Sequence, residues 1–373
     1  MTKAYSRFLT ALFCLFLGGL MVWQVLLPDR ERSDVENRTL AQWPEFSWES
    51  LKDGSYTAAV EEYFADQFPL RDAWTGLKAR TEQLIGKTEF HGVYLCGDTL
   101  ISKVDTPDEE LVTNNLSYIT RLAEKTDVPV YLGFIPSAAE VWRDKLPAGA
   151  ESWDQTAFLD RAAEETGLPT VDFAGALTAH ADEPIFYRTD HHWNYLGSYR
   201  AYRELLPLLG CTDTPLEPTA TETLGEFSGS KAAGTGLDIF SEPFTVYRFA
   251  YPEMTVTRNG EPAGDYGRQD AVPGELALSY GAFYGGDDGE IIFDTGRTDR
   301  GNLLVIGESY DNAILKLLAS HFDRTYSVDL RYYRNYMGSD FSLSDYLRRN
   351  NITKVLLIGN VDYYISPDFA LEN

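Results

Sequence analysis

Apolar residues follow several distinct patterns along the 373-residue chain. From Phe8 to about Leu27 they run almost unbroken and uncharged, with Lys3 and Arg7 ahead and Asp29-Arg30-Glu31-Arg32 behind. About 20 apolar residues suffice to cross a bilayer. The run ends in Val25-Leu26-Leu27-Pro28 with no small-residue cleavage site, so residues 1–28 are predicted to be an uncleaved anchor. The basic leading end places the N-terminus in the cytoplasm and the rest outside the cell. In the next stretch, 29–105, Val60, Tyr63, Phe64 and Phe68 recur at helical spacing up to Pro69, and 71–85 reads as a second helix ended by Gly86. Alternation at 93–95 and 100–101 around Gly97-Asp98 predicts a small hairpin closing this helical linker.

Beyond it the pattern switches to helix-then-strand units. Residues 109–125 are helically periodic and lead into the apolar run 128–136, the composition of a buried parallel strand. The same succession recurs from 313–321 into 325–330 and from 343–351 into 355–358. It predicts an α/β domain over 106–373 with a parallel sheet covered by helices. Between about 215 and 299 short β-like pieces, 244–250 and 290–293 among them, alternate with Gly-, Pro- and Asp-rich turns, which reads as a β-rich insertion.

Composition narrows the function classes. With 57 acidic against 32 basic residues the net charge is −25, which argues against a nucleic-acid partner, since such binding neutralises phosphates with Lys and Arg. Three cysteines are too few for a disulfide framework, and Cys14 falls inside the apolar run; Cys96 and Cys211 could pair, but nothing requires it. No Cys-x-x-Cys or His-Glu-x-x-His occurs, so no metal and no cofactor is expected. Glycosylation sequons stand at Asn37, Asn115 and Asn351.

Candidate chemistry rests on two segments. Ser309 follows the strand-like run Leu303-Leu304-Val305-Ile306 and precedes a helix expected from about Asn312. That is where loops leave an open α/β sheet and ligands gather, although an N-cap serine would sit there too. In Asp190-His191-His192 an extended backbone would put Asp190 beside the ring of His192 and turn His191 away. An aspartate so placed fixes the imidazole tautomer, leaving the other nitrogen to take a proton from a serine. Ser309, His192 and Asp190 are thus the candidate catalytic residues.

The chain resembles the DHHW proteins, which are similar to the alginate O-acetylation proteins of the SGNH-hydrolase-like superfamily. The resemblance rests on Glu36-Asn37-Arg38-Thr39-Leu40, on 63–72, on Thr189-Asp190-His191-His192-Trp193-Asn194, on Gly307-Glu308-Ser309-Tyr310, and on Asp329-Leu330-Arg331-Tyr332-Tyr333. It implies a circularly permuted SGNH-hydrolase-like three-layer α/β fold, because the Asp-x-His segment precedes the serine. Glu308 stands where the superfamily's serine block carries Asp. Asn360, after the strand 355–358, falls at the position of that superfamily's oxyanion asparagine. Asn360 is therefore a candidate oxyanion contact, as is Arg331 at another strand end, where an ion pair with Asp329 is the alternative. Tyr310 and Tyr332, with Tyr333, Tyr336, Tyr363 and Tyr364, offer flat rings suited to a sugar face, and His191 and Trp193 are further candidate substrate contacts.

The implied activity is that of a membrane-anchored extracellular O-acetyltransferase or O-acetylesterase acting on a cell-surface polysaccharide. A polytopic membrane O-acyltransferase is its implied partner. The rival class is a non-catalytic glycan-binding or scaffold protein of an exopolysaccharide export complex; an extracellular lipase would need an apolar acyl tunnel.

Overall fold

Alternate residues of the central strands serve two different cores. Leu303, Val305, Leu356 and Ile358 pack into one apolar layer, whereas Leu304, Ile306, Val355 and Leu357 pack into the other. A strand buried on both faces has no polar side to show, which is why these segments read as continuous apolar runs. Fully burying one such side chain stabilises the fold by roughly 1.5–3 kcal/mol.

The computed structural model describes residues 3–33, 38–237, 241–264, 266–268, 271–274, 278–366 and 369. Glu36 and Asn37, which open the first family-like motif and one sequon, lie outside the described residues. Two units are distinguished: one holds the chain up to His91 with a short segment starting at Ala232, and the other begins at Gly92 and carries most of the remainder.

The first unit is helical. Helix α1 (Lys3–Leu26) is, among the described residues, the one helix long and apolar enough to cross a membrane, and none of its residues is buried. It is followed by α2 (Trp48–Asp53), α3 (Ser55–Asp66) and α4 (Arg71–Leu84). Ser47 caps α2 through its side chain, and Gly54, in the left-handed conformation at φ 88°, makes the turn from α2 into α3.

The second unit is built on a seven-stranded sheet: β1 (Val130–Ile135), β2 (Thr255–Arg258), β3 (Glu261–Ala263), β4 (Glu290–Asp294), β5 (Asn302–Ile306), β6 (Arg324–Val328) and β7 (Ile352–Asn360), in the order β3-β2-β4-β6-β5-β7-β1. Strands β6, β5, β7 and β1 are parallel, with Ile306 level with Val328 and Asn360 level with Ile135. Their carboxyl ends therefore share one edge. Helices Glu109–Glu124 and Gln155–Thr166 cover one face, and Phe173–Thr178 with Tyr195–Leu208 the other. Gly133 lets the second pair approach closely: a Cβ there would stand 3.2 Å from the Phe173 ring.

The stretch read as a separate insertion divides in two. Pro218–Phe227 and Glu242–Phe249 form an antiparallel ribbon, but β2, β3 and β4 extend the main sheet, β4 pairing antiparallel with β6. Short strands on the antiparallel flank lack the long apolar signature of the parallel ones, so their membership was invisible in the pattern. The hairpin Val93–Cys96 with Thr99–Ser102 forms around Gly97 and belongs to this second unit. Asn115, one of the sequon asparagines, is buried and donates to Tyr364 O at 2.8 Å, which closes it to glycosylation. Cys96 and Cys211 are both unbridged.

Candidate active site

Four loops leave the common carboxyl edge and meet around a cavity of about 290 Å³. Ser137 and Ala138 come from beyond β1, Glu308 and Ser309 from beyond β5, Arg331 from beyond β6, and Asn360 and Asp362 from the end of β7. Ligands collect at this edge of an open sheet because each loop there projects side chains and free N–H groups.

Ser309 occupies a tight turn closed by Asp311 N donating to Glu308 O at 2.9 Å. It does not cap a helix: a single 3-10 turn (Asp311–Ala313) and the short helix Leu315–Ala319 follow, with no side-chain cap from the serine. Its Oγ lies 2.9 Å from His192 Nε2, and His192 Nδ1 lies 2.7 Å from Asp190 Oδ1. The three candidate catalytic side chains thus form one hydrogen-bonded chain ending at the cavity.

The local backbone that brings Asp190 to His192 differs from the extended one expected. Asp190 Oδ1 accepts from both His192 N (3.0 Å) and His192 Nδ1, the turn a short carboxylate side chain makes two residues ahead. Flanking pairing between Phe186 and Trp193 holds this bend in place. The other Asp190 oxygen accepts from Ser230 N at 2.9 Å. Gly229 permits that approach, since a Cβ there would meet Asp190 Cβ at 2.4 Å and Cα at 2.7 Å. Burial opposes the Asp190 charge, but the His192 bond and charge outweigh it and hold the carboxyl well below its usual range. A carboxylate, not an acid, therefore faces the imidazole.

His191 is not turned away from the site. Its ring lies 3.8 Å from that of His192, its Nδ1 is 2.8 Å from Ser230 Oγ, and it lines the cavity. Asp190, His191 and His192 present ligand-type atoms within 4.8 Å of one another, yet an ion there would have to displace the His192–Asp190 bond.

The remaining candidates separate. Asn360 Oδ1 accepts from Asp362 N, while its Nδ2 is buried at the cavity without a partner among the described residues. Arg331 lines the cavity too, but its Nε and Nη2 grip the two oxygens of Asp329 at 3.0 and 2.5 Å, an ion pair that competes with an oxyanion role. Tyr310 reaches the cavity and bonds His191 O through its hydroxyl. Trp193 is a core residue, fully buried, with its indole N–H donating to Tyr310 O at 2.9 Å. Tyr332 does not line the cavity; its ring lies beside the Arg331 guanidinium. Both tracked the site in sequence because they neighbour it along the chain, not because their rings face it.

Three contributors escaped the sequence reading. Glu308, wholly buried, accepts from Asn360 N at 2.7 Å, Tyr310 N at 3.2 Å and Ser309 Oγ at 3.0 Å, cross-linking the ends of β5 and β7. Burial pushes its carboxyl above the ordinary value, against these bonds and the nearby His192. Tyr280 stacks flat on His192, centroids 3.7 Å apart and planes at 4°, and its hydroxyl donates to Tyr310 O. Lys231, buried at the cavity wall, donates to Tyr187 O at 3.3 Å; burial lowers its amine to about 8 against the pull of Asp190 and Glu242. Only the Glu-for-Asp change at 308 carried a signal in the sequence.

Comparison with known proteins gives the family. A family model described as DHHW protein matches residues 36–129 and 171–328, and one described as SGNH hydrolase-like domain, acetyltransferase AlgX, matches 104–228. The fold is similar to the crystal structure of a DHHW family protein from Eubacterium siraeum (TM-score 0.64, 24% identity, 76% of this chain and 95% of that one). It is also similar to Bacillus cereus PatB1 with a sulfonyl adduct (TM-score 0.60, 18% identity, 75% and 98%). No curated protein matches the chain. With the family model spanning well over half of its length on both sides of the Asp-His-His-Trp segment, this chain belongs to the DHHW family.

Proposed function

We propose that this protein is an O-acetyltransferase or O-acetylesterase of a cell-surface polysaccharide, working through Ser309, His192 and Asp190. The observation that carries the reading is the unbroken hydrogen-bonded chain from Asp190 through His192 to Ser309, with Ser309 on the cavity wall. Ser309 Oγ attacks the acyl carbonyl carbon as its proton passes to His192 Nε2, and Asp190 stabilises the imidazolium that results. Asn360 Nδ2, buried without a partner, and the Ser309 N–H receive the oxyanion, each such donor contributing about 3 kcal/mol. Collapse expels the donor alcohol, which takes the proton from His192. A sugar hydroxyl, or water, then attacks the acyl-serine carbonyl carbon while His192 again accepts its proton, and collapse breaks the bond to Ser309 Oγ, which recovers that proton from His192 as the acetylated sugar, or acetic acid, leaves.

The SGNH-type family model over 104–228 supports acyl chemistry, and the Asp-x-His segment preceding the strand that carries the serine supports a circularly permuted SGNH-like arrangement. The apolar length of α1 and the basic residues before it support a cell-membrane anchor with the domain outside. A polytopic membrane O-acyltransferase supplying acetyl groups is the partner this placement fits.

One observation favours the rival, non-catalytic reading: Ser309 Oγ is also 3.0 Å from Glu308 Oε2, and a hydroxyl has a single proton for two acceptors. Steady-state turnover of a chromogenic acetyl ester by the full chain in detergent separates the two. The proposed function predicts turnover that falls at least ~1,000-fold in Ser309→Ala and in His192→Ala. Equal rates in wild type and both variants would leave the glycan-holding role.

A further inference from the structure

Large apolar side chains exposed to solvent are not spread over the protein. Past α1, ten of the thirteen among the described residues fall between Trp43 and Ile85, in the first unit; the other three are Leu27, directly after α1, and Val272 and Tyr336. Scattered exposed hydrophobics need no explanation, but a concentration of this kind marks a contact surface.

On α4 the exposed residues share a face. Trp74 and Leu77, with Leu84 and Ile85 at the end, fall within about 100° of arc at 100° per residue, while Ala79 on the opposite side is buried. Leu84 and Ile85 are 86% and 80% exposed, so the apolar face of this helix points outward and its small residue points in. A helix packing onto its own protein has the reverse orientation. Lys78 and Arg80 border the stripe on its two sides. A second patch surrounds Trp43, Phe46 and Trp48, where Trp43 packs edge-on against Tyr63 and Phe64.

Both patches are tied to the end of the apolar helix. Gln24 Nε2, in the last turn of α1, donates to Phe64 O at 2.9 Å, and Asp29 accepts from the Tyr63 hydroxyl at 2.7 Å. Arg30 pairs with Asp72 in the first turn of α4 at 2.8 Å. If α1 spans a bilayer, these contacts fix the patches at the level where the chain leaves it.

We infer that the face formed by α4 and the Trp43–Trp48 segment lies on the lipid of the leaflet from which the chain emerges, its rings and aliphatic side chains among the headgroups and upper acyl chains. Tryptophan, Leu and Ile over a border of Lys and Arg is the composition that lies in this zone. The inference rests on the anchor reading of α1 and adds a second attachment that holds the helices to the bilayer surface.

Tryptophan fluorescence of the full chain in mixed phosphatidylcholine–phosphatidylglycerol vesicles, with and without bromine on the acyl chains, tests it. Wild type should be quenched by the brominated lipid. Trp23→Phe should keep at least about half of that quenching, and adding Trp43→Phe, Trp48→Phe and Trp74→Phe should remove it. Quenching abolished by Trp23→Phe alone would overturn the surface contact while leaving the anchor intact. Absence of quenching in wild type would instead refute the anchor, and the contact with it.

Discussion

At the residue scale, the least anticipated side chain is Glu308. It was legible only as a departure from the family's aspartate, yet it bridges the turn of Ser309 to the end of the strand carrying Asn360. The extra methylene is what lets one carboxyl reach N–H groups on two loops. Because burial raises its pKa, ionising Glu308 costs folding free energy. Its contribution to stability is full below the ordinary value of 4.5 and is lost as pH rises through the higher folded value. Denaturant unfolding of wild type and Glu308→Gln between pH 4 and 7 checks this: the stability of wild type relative to the variant should decline as pH rises. A difference that stays flat or grows would show that the carboxyl is not held above its normal range.

At the element scale, the strands and helices that matter for the site were readable where burial forces a periodic or continuous apolar pattern. The runs 303–306 and 355–358 correspond to β5 and β7, and 109–125 corresponds to the helix Glu109–Glu124. What failed to read was structure made by polar side chains bonding their own backbone. The Asp190 bend mimics an alternating strand in sequence because both bring residue i beside i+2, and only the hydrogen bonds tell them apart. Tyr280, Ser230 and Lys231 come from stretches with no periodicity, so no pattern placed them near His192. The Gly229–Ser230 segment is nonetheless essential on geometric grounds. Gly229→Ala should displace Asp190 by pushing a methyl into its Cα and Cβ, lowering ester turnover by roughly 100-fold with the chain still folded. Unchanged turnover, with circular dichroism like wild type, would mean that the position of Asp190 does not govern the imidazole.

At the scale of the whole molecule, two features of different physical origin stand out. One is the parallel edge of the sheet, where four strands point their carboxyl ends the same way and deliver a serine, an asparagine with an unused donor and a buried carboxyl to one cavity, opposite a histidine from a separate loop. The other is the helical unit continuous with α1, which carries most of the large apolar side chains exposed beyond that helix among the described residues. Under the proposed function, the first would handle acyl groups and the second would hold the protein to a membrane. Under the proposed function, Ser309 becomes acylated during turnover. The direct measurement is acid-quenched incubation of the full chain with an activated acetyl ester, followed by peptide mass spectrometry. Acetyl on the peptide containing Ser309 in wild type, and its absence in His192→Ala, is the predicted result; no acetyl on Ser309 under turnover conditions would contradict it.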